Sequence, residues 1–164
     1  AKELNDARKG TSIFGFSNHL PITHAIFALN SLKDINKLVR HNKKIYKYYK
    51  KHLKNIGGIQ LLEFDESEQT SYKNIIIKIK ESNKIIQEKI IFELNQDNIL
   101  ARPYYNPPLH KKKYKYNTVI ENMSSTEKLE FSYINLPSGY RMNERATRMV
   151  CEKLKFICLH ILNY

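Results

Sequence analysis

Ala101-Arg102-Pro103-Tyr104-Tyr105-Asn106-Pro107-Pro108-Leu109-His110 is the stretch on which the reading of this chain turns. It reads as a strand that ends abruptly and runs into a rigid loop bearing an arginine, two tyrosines and a histidine. Each proline fixes its own φ and removes a backbone donor, so the strand exit is stiff. Side chains held this firmly suit the wall of a ligand site. Arg102 can fork onto a phosphate, and each tyrosine joins a flat apolar face to a polar tip. The same residues also describe a proline-stiffened turn with exposed aromatics.

Upstream, Ile99 to Arg102 is expected to be the strand feeding this loop, after Asn95-Gln96-Asp97-Asn98 breaks a helix. That helix is capped by Ser82 or Asn83 and turns Ile86, Ile90 and Leu94 inward. Tyr72 to Lys80 is the clearest strand, with Ile75, Ile77 and Ile79 on one face and Lys78 and Lys80 on the other. A shorter strand is expected from Ile59 to Glu63, and an acidic loop over Asp65 to Gln69. Before them, apolar residues recur at three- and four-residue steps from Ala25 to Ile56. They predict a long amphipathic helix, led by Pro21, bent or broken near Asn30-Ser31 and stopped by Gly57-Gly58.

Downstream, Ser124 and Glu127 have capping-box spacing at the start of a helix. Tyr133 to Leu136 is a short strand stopped by Pro137-Ser138-Gly139, and Asn143 caps a final helix burying Ala146, Val150, Leu154, Ile157, Cys158 and Ile161. Strands and helices interleave, which predicts an α/β architecture: a small sheet with helices mainly on one face, approached by a long helix.

Composition sets outer bounds. The 164 residues carry a formal charge of +12, which favours anionic partners. Lysine far outnumbers arginine, however, and lysine and asparagine are spread along the chain. That pattern argues against a localised nucleic-acid patch. No apolar run approaches the ~20 residues of a membrane span, and the chain does not open on methionine. A soluble, cytoplasmic protein whose reading frame begins upstream is expected. Cys151 and Cys158 lie about two helical turns apart, near 10 Å, too far to bridge, and read as small buried apolar residues.

The order of the parts carries a resemblance. A Gly-Phe loop (Gly15-Phe16) precedes a helix reading Pro-Ile-Thr-His-Ala-Ile-Phe-Ala-Leu-Asn-Ser-Leu, then a Lys-rich helix, a Gly-Gly stop and a Thr70-Ser71-Tyr72 strand. The Arg-Pro-Tyr-Tyr-Asn-Pro-Pro-Leu-His stretch and the Leu136-Pro137-Ser138-Gly139-Tyr140 turn follow. Together they resemble the C-terminal part of the DegT/DnrJ/EryC1/StrS family of pyridoxal-phosphate (PLP) dependent nucleotide-sugar aminotransferases, over nearly the whole chain.

The resemblance implies the small domain of the aspartate-aminotransferase architecture (PLP fold type I). Residues 1–20 would close the large domain and cross over, 21–56 would form the linking helix, and 57–164 the small C-terminal domain. It implies a homodimer that moves an amino group from glutamate to a keto nucleotide-linked deoxysugar, with PLP held mainly by an upstream domain. Arg102, Tyr104, Tyr105 and His110 match the family's motif at the sugar-nucleotide site. Ser17, or Asn18 one step on, stands where the family's asparagine reaches the partner subunit's PLP phosphate, while Leu20-Pro21-Ile22 departs from the usual Met-Ser-Glu-like run.

A Schiff-base lysine must be desolvated or flanked by positive charge. Lysines 43, 44, 47, 50, 51 and 54 fall on a helix's polar face and Lys111, Lys112 and Lys113 in a loop, so no catalytic residue is expected in this chain. His19 and His24 lack further ligands at metal spacing, and His24 reads as a core residue. Two other classes remain open. One is a basic module binding RNA or another polyanion through the 40–54 helix and residues 111–115. The other is a catalytically dead remnant of the family.

Overall fold

A computed structural model describes residues 21–113, 115 and 119–162 of the chain. The chain divides into two units, residues 1–37 and 38–164.

In the first unit, helix α1 spans Ile22–Lys33 behind Pro21, whose carbonyl accepts from the amide of Ala25 at 3.1 Å. None of its side chains is buried, and Ile22, Phe27 and Leu29 are all largely exposed. His24 is exposed as well, which corrects its expected place in a core. The break comes at Asp34, four residues after Asn30, because α1 stays helical through Lys33. The sequence Gly10–His19, with Ser17 and Asn18, lies outside the described residues.

Helix α2 spans Ile35–Leu53. Its Ile45, Tyr46, Tyr49 and Leu53 are buried, while Lys44, Lys47 and Lys51 are exposed, as the helical phase predicts. It ends four residues before the two glycines, through a turn in which Ile56 donates to Leu53 at 3.1 Å. Strand β1 (Ile59–Leu61) pairs antiparallel with β2 (Ile75–Ile79). Expected to begin at Tyr72, β2 starts three residues later because Tyr72 sits at φ 49°, off the extended conformation.

Helix α3 (Lys84–Gln96) is capped by Asn83, whose Oδ1 accepts from Ile86 at 3.0 Å. The following strand β3 is only Arg102–Pro103. Residues 99 to 101 close α3 instead: Ile99 donates to the carbonyl of Leu94, and Ala101 to Oδ1 of Asn95, both at 3.0 Å. Helix α4 (Ser124–Leu129) lacks the expected capping box, because Ser124 is already helical and its amide donates to Oδ1 of Asn122. Strand β4 (Tyr133–Leu136) pairs antiparallel with both β2 and β3. The final helix α5 (Glu144–Ile161) is capped by Oδ1 of Asn143 on Ala146 at 2.9 Å.

The sheet order is β1-β2-β4-β3, so β2, α3 and β3 form a crossover split around β4. Ile75, Ile77, Ile79, Ile134 and Leu136 share one core with α2, α3 and α5. All three helices therefore cover the same face of the sheet. The opposite face carries Ile76, Lys78, Tyr133, Asn135 and Arg102, by strand alternation and register. Asn143→Ala removes a helix cap without touching the core. It should lower the unfolding free energy by about 1 kcal/mol in a denaturant titration.

Cys151 and Cys158 are free and buried, as expected. Burial pushes their thiols up to about 12 and about 11. Tyr49 is pushed up too, by burial, with its hydroxyl donating to the Pro137 carbonyl at 3.0 Å. In the unfolded chain the thiols release protons near 9 and the phenol near 10. Between those values and the raised ones the folded state holds more protons than the unfolded, so stability falls as pH rises above about 9. Melting curves at pH 7 and 10 check the sign. Thiol-reactive probes at pH 8 should label the folded protein far more slowly than the unfolded one.

Candidate functional site

The open face of the sheet and the strand exit beside it form the candidate site. Arg102 lies on the edge strand β3, exposed, laterally paired with Asn135 of β4. It makes no ion pair among the described residues, so the alternative of a surface carboxylate partner is not realised there. Tyr104 continues the strand line, its amide donating to the Tyr133 carbonyl at 3.2 Å. The exposed Tyr105 ring lies 4.4 Å from the Tyr104 ring, centre to centre, tilted by 40°. The Asn106–Pro107 bond is cis.

Two concavities border this exit. The smaller, about 160 Å³, is lined by Tyr104, Leu62, Phe64, Ser71, Asn74 and Ile76, together with the charged Glu63 and Lys73. That volume suits one ring and not a whole nucleotide. The larger is a groove of about 580 Å³ between α3 and the proline loop, lined by Gln87, Phe92, Pro103, Asn106, Pro107 and Glu130 among others. Gln87 is fully buried and ties the two sides together: its Nε2 donates to Tyr133 O at 2.9 Å, and its Oε1 accepts from Asn106 at 3.5 Å.

His110 is placed differently. It is the middle residue of the short 3-10 turn Leu109–Lys111 and turns its Nε2 to Glu127 of α4, 3.3 Å away. Lys111 beside it reaches the nearly buried Glu130 at 2.6 Å, and this contact, with Glu127 further off, raises its pKa. The turn is thereby pinned to α4. The structure thus gives His110 a protein partner and leaves Arg102 and Tyr105 facing solvent.

The wall opposite Tyr104 comes from the loop between β1 and β2, which has no periodic pattern by which the sequence marks it. It is held by α2. Phe64, Tyr72 and Tyr46 stack mutually with centroids 5.0 to 5.3 Å apart, the Tyr46 hydroxyl accepts from the Phe64 amide at 3.4 Å, and Asn42 Nδ2 donates to Ser71 O at 3.1 Å.

No described lysine is buried. Lys43, beside Tyr72 and Glu66, and Lys50, beside Glu63, have pKa values raised by those partners. That is the opposite of what a Schiff-base amine requires. Among the described lysines, none has the buried setting that such an amine needs. Among the described residues, no helix is long and apolar enough to cross a membrane.

Residues 2–155 match the model of the DegT/DnrJ/EryC1/StrS aminotransferase family. No curated protein matches the chain in sequence. Among solved structures, DesI in the presence of its TDP-sugar product superposes with a TM-score of 0.76 at 19% identity, covering 93% of this chain and 39% of that one. The aminotransferase TlmJ from Streptoalloteichus hindustanus gives 0.76 at 15%, over 93% of this chain and 40% of its own. PseC of Helicobacter pylori, an aminotransferase involved in the biosynthesis of pseudoaminic acid, gives 0.74 at 18%, over 92% and 40%. At these identities the likeness is one of fold. The chain spans about two fifths of the length of each of these structures.

Proposed function

From the premise that this chain belongs to the DegT/DnrJ/EryC1/StrS aminotransferase family, we propose that it is the C-terminal portion of a PLP-dependent nucleotide-sugar aminotransferase. The whole enzyme moves an amino group from glutamate to the keto carbon of a nucleotide-linked deoxysugar, as a cytoplasmic homodimer. Residues 1–20 close the large domain and cross over, 21–56 link, and 57–164 form the small domain. PLP supplies the amino-carrying carbonyl chemistry and is bound mainly by the upstream domain, with Ser17 or Asn18 reaching the phosphate of the partner's cofactor.

This chain's own share is substrate binding. Arg102 takes the diphosphate, Tyr104 and Tyr105 offer ring faces and hydroxyls, and His110 serves sugar or phosphate oxygens at the rim, its ring held by Glu127. The observation that carries this reading is an exposed arginine fork that makes no ion pair among the described residues, on a proline-stiffened edge strand two residues before Tyr104, which walls a concavity of one-ring size.

The test compares residues 1–164 alone with a longer polypeptide carrying the sequence upstream. Glutamate-dependent amination of a keto nucleotide sugar by the longer form, and none by residues 1–164, is expected. Turnover by the 164-residue chain alone would overturn the division of labour. A longer form that binds no nucleotide sugar would overturn the reading itself.

A further inference from the structure

The smaller concavity has the make-up of a seat for a flat heterocycle. Leu62, Phe64, Ile76 and Tyr104 give it apolar and aromatic walls. Both aromatic walls are braced by other rings: Phe64 by Tyr46 and Tyr72, with centroids 5.1 and 5.0 Å away, and Tyr104 by Tyr105 at 4.4 Å. Rings packed in this way hold their places, so the opening is preformed. A volume of about 160 Å³ admits a single ring, whereas a purine carries a second one fused to the first.

The polar chemistry of the lining centres on Asn74. It lies two residues before Ile76 and so shares the open face of the sheet with it. Its side chain is half-buried and makes no hydrogen bond among the described residues. An amide sets a donor and an acceptor side by side. The cyclic imide edge of uracil or thymine sets a carbonyl beside an N–H, and pairs with such an amide twice. A pyranose has no planar edge of this kind, and its ring of hydroxyls asks for more partners than the lining offers, because Glu63 is already held by Lys50 at 2.5 Å. Ile76, Asn135 and Arg102 stand in one row across β2, β4 and β3. Arg102 is therefore two strand spacings, about 10 Å, from Ile76, an interval that a ribose and the arginine's own length span. Resting on the reading of the site given above, we infer that this concavity is the base subsite and takes a pyrimidine, whose imide edge pairs with the Asn74 amide while Tyr104 packs against the ring.

The experiment uses the longer polypeptide and three probes, TDP, GDP and TDP-glucose, with binding measured by calorimetry. The wild-type protein should prefer TDP over GDP by about tenfold or more, because the second ring of the purine meets the wall. Asn74→Leu keeps the size of the side chain and removes its hydrogen bonds. It should weaken TDP and TDP-glucose together by about tenfold and leave GDP unchanged, so that the preference falls to about one. Should the leucine variant not fold, Asn74→Ala, which withdraws the same donor and acceptor, is expected to give the same collapse.

Equal affinity of the wild-type protein for TDP and GDP overturns the inference, as does a variant in which all three affinities are unchanged. A variant that weakens TDP-glucose and spares TDP also overturns it, because the sugar would then occupy the concavity. Parallel loss of TDP and GDP does so too, since Asn74 would then only support its loop. If the wild-type protein binds none of the three probes, the reading of the site falls first and takes this inference with it.

Discussion

Ile77→Ala should lower the unfolding free energy by about 3 kcal/mol in a urea titration, with the slope of the transition unchanged. Ile77 is fully buried at the centre of the sheet, paired across to Leu61 on one side and Ile134 on the other. The side chain faces the core shared with α2, α3 and α5, where no neighbour is free to collapse into the space left behind. Its neighbour Lys78 lies on the opposite face and is exposed. Lys78→Ala should therefore change stability by no more than about 0.5 kcal/mol. A small effect at position 77 or a large one at 78 would mean that the strand runs in the other register. In that case Arg102 and Asn135 would not share a face with Ile76.

The strands and helices that carry the core were legible because their periods were clean. Ile75, Ile77 and Ile79 fall on one face with Lys78 and Lys80 on the other, and the apolar positions of α2 and α5 recur at helical steps. The caps at Asn83 and Asn143 were legible for a similar reason, since a side-chain acceptor three residues before an amide has one common use. What pattern alone missed were places where a side chain displaced a backbone partner. Asn95 takes the Ala101 amide and shortens β3, and Asn122 takes the Ser124 amide and dissolves the capping box. Asparagine and serine offer the backbone such alternatives wherever they occur, so their sequence position alone does not say which wins.

The candidate site divides along the same line. The placement of Arg102, Tyr104 and Tyr105 on a rigid exit was legible because prolines announce it, and all three are carried by that exit. The opposing wall was invisible, because Phe64, Ser71 and Asn74 come from an aperiodic loop whose place is set by α2 through Tyr46 and Asn42. Asn135 was hidden in plain alternation. A polar residue on the outward face of a strand is ordinarily solvated, whereas the Asn135 Oδ1 is buried without a hydrogen-bond partner among the described residues. The contact that holds His110 was not legible either, since Glu127, 17 residues on, lies 3.3 Å from its Nε2 only once α4 is folded beside the turn.

Arg102→Ala should weaken binding of TDP-glucose to the longer polypeptide by roughly 10- to 100-fold, the equivalent of about 1.5–3 kcal/mol for hydrogen bonds to a charged group. The folded state should barely notice the change. Arg102 is exposed and makes no ion pair among the described residues, so unfolding should move by less than about 0.5 kcal/mol. Arg102→Lys separates charge from geometry. It keeps the cation but loses the planar fork, so it should recover only part of the affinity, and that part should fall as salt is raised. Loss at position 102 should weaken TDP and TDP-glucose alike, because the diphosphate is common to both. Equal affinity for TDP-glucose in wild type and Arg102→Ala would take the arginine out of the site. The one-ring concavity beside Tyr104 would then have no cationic anchor on β3, and the diphosphate would have to be held by Lys73, which lines that concavity, or from the upstream domain.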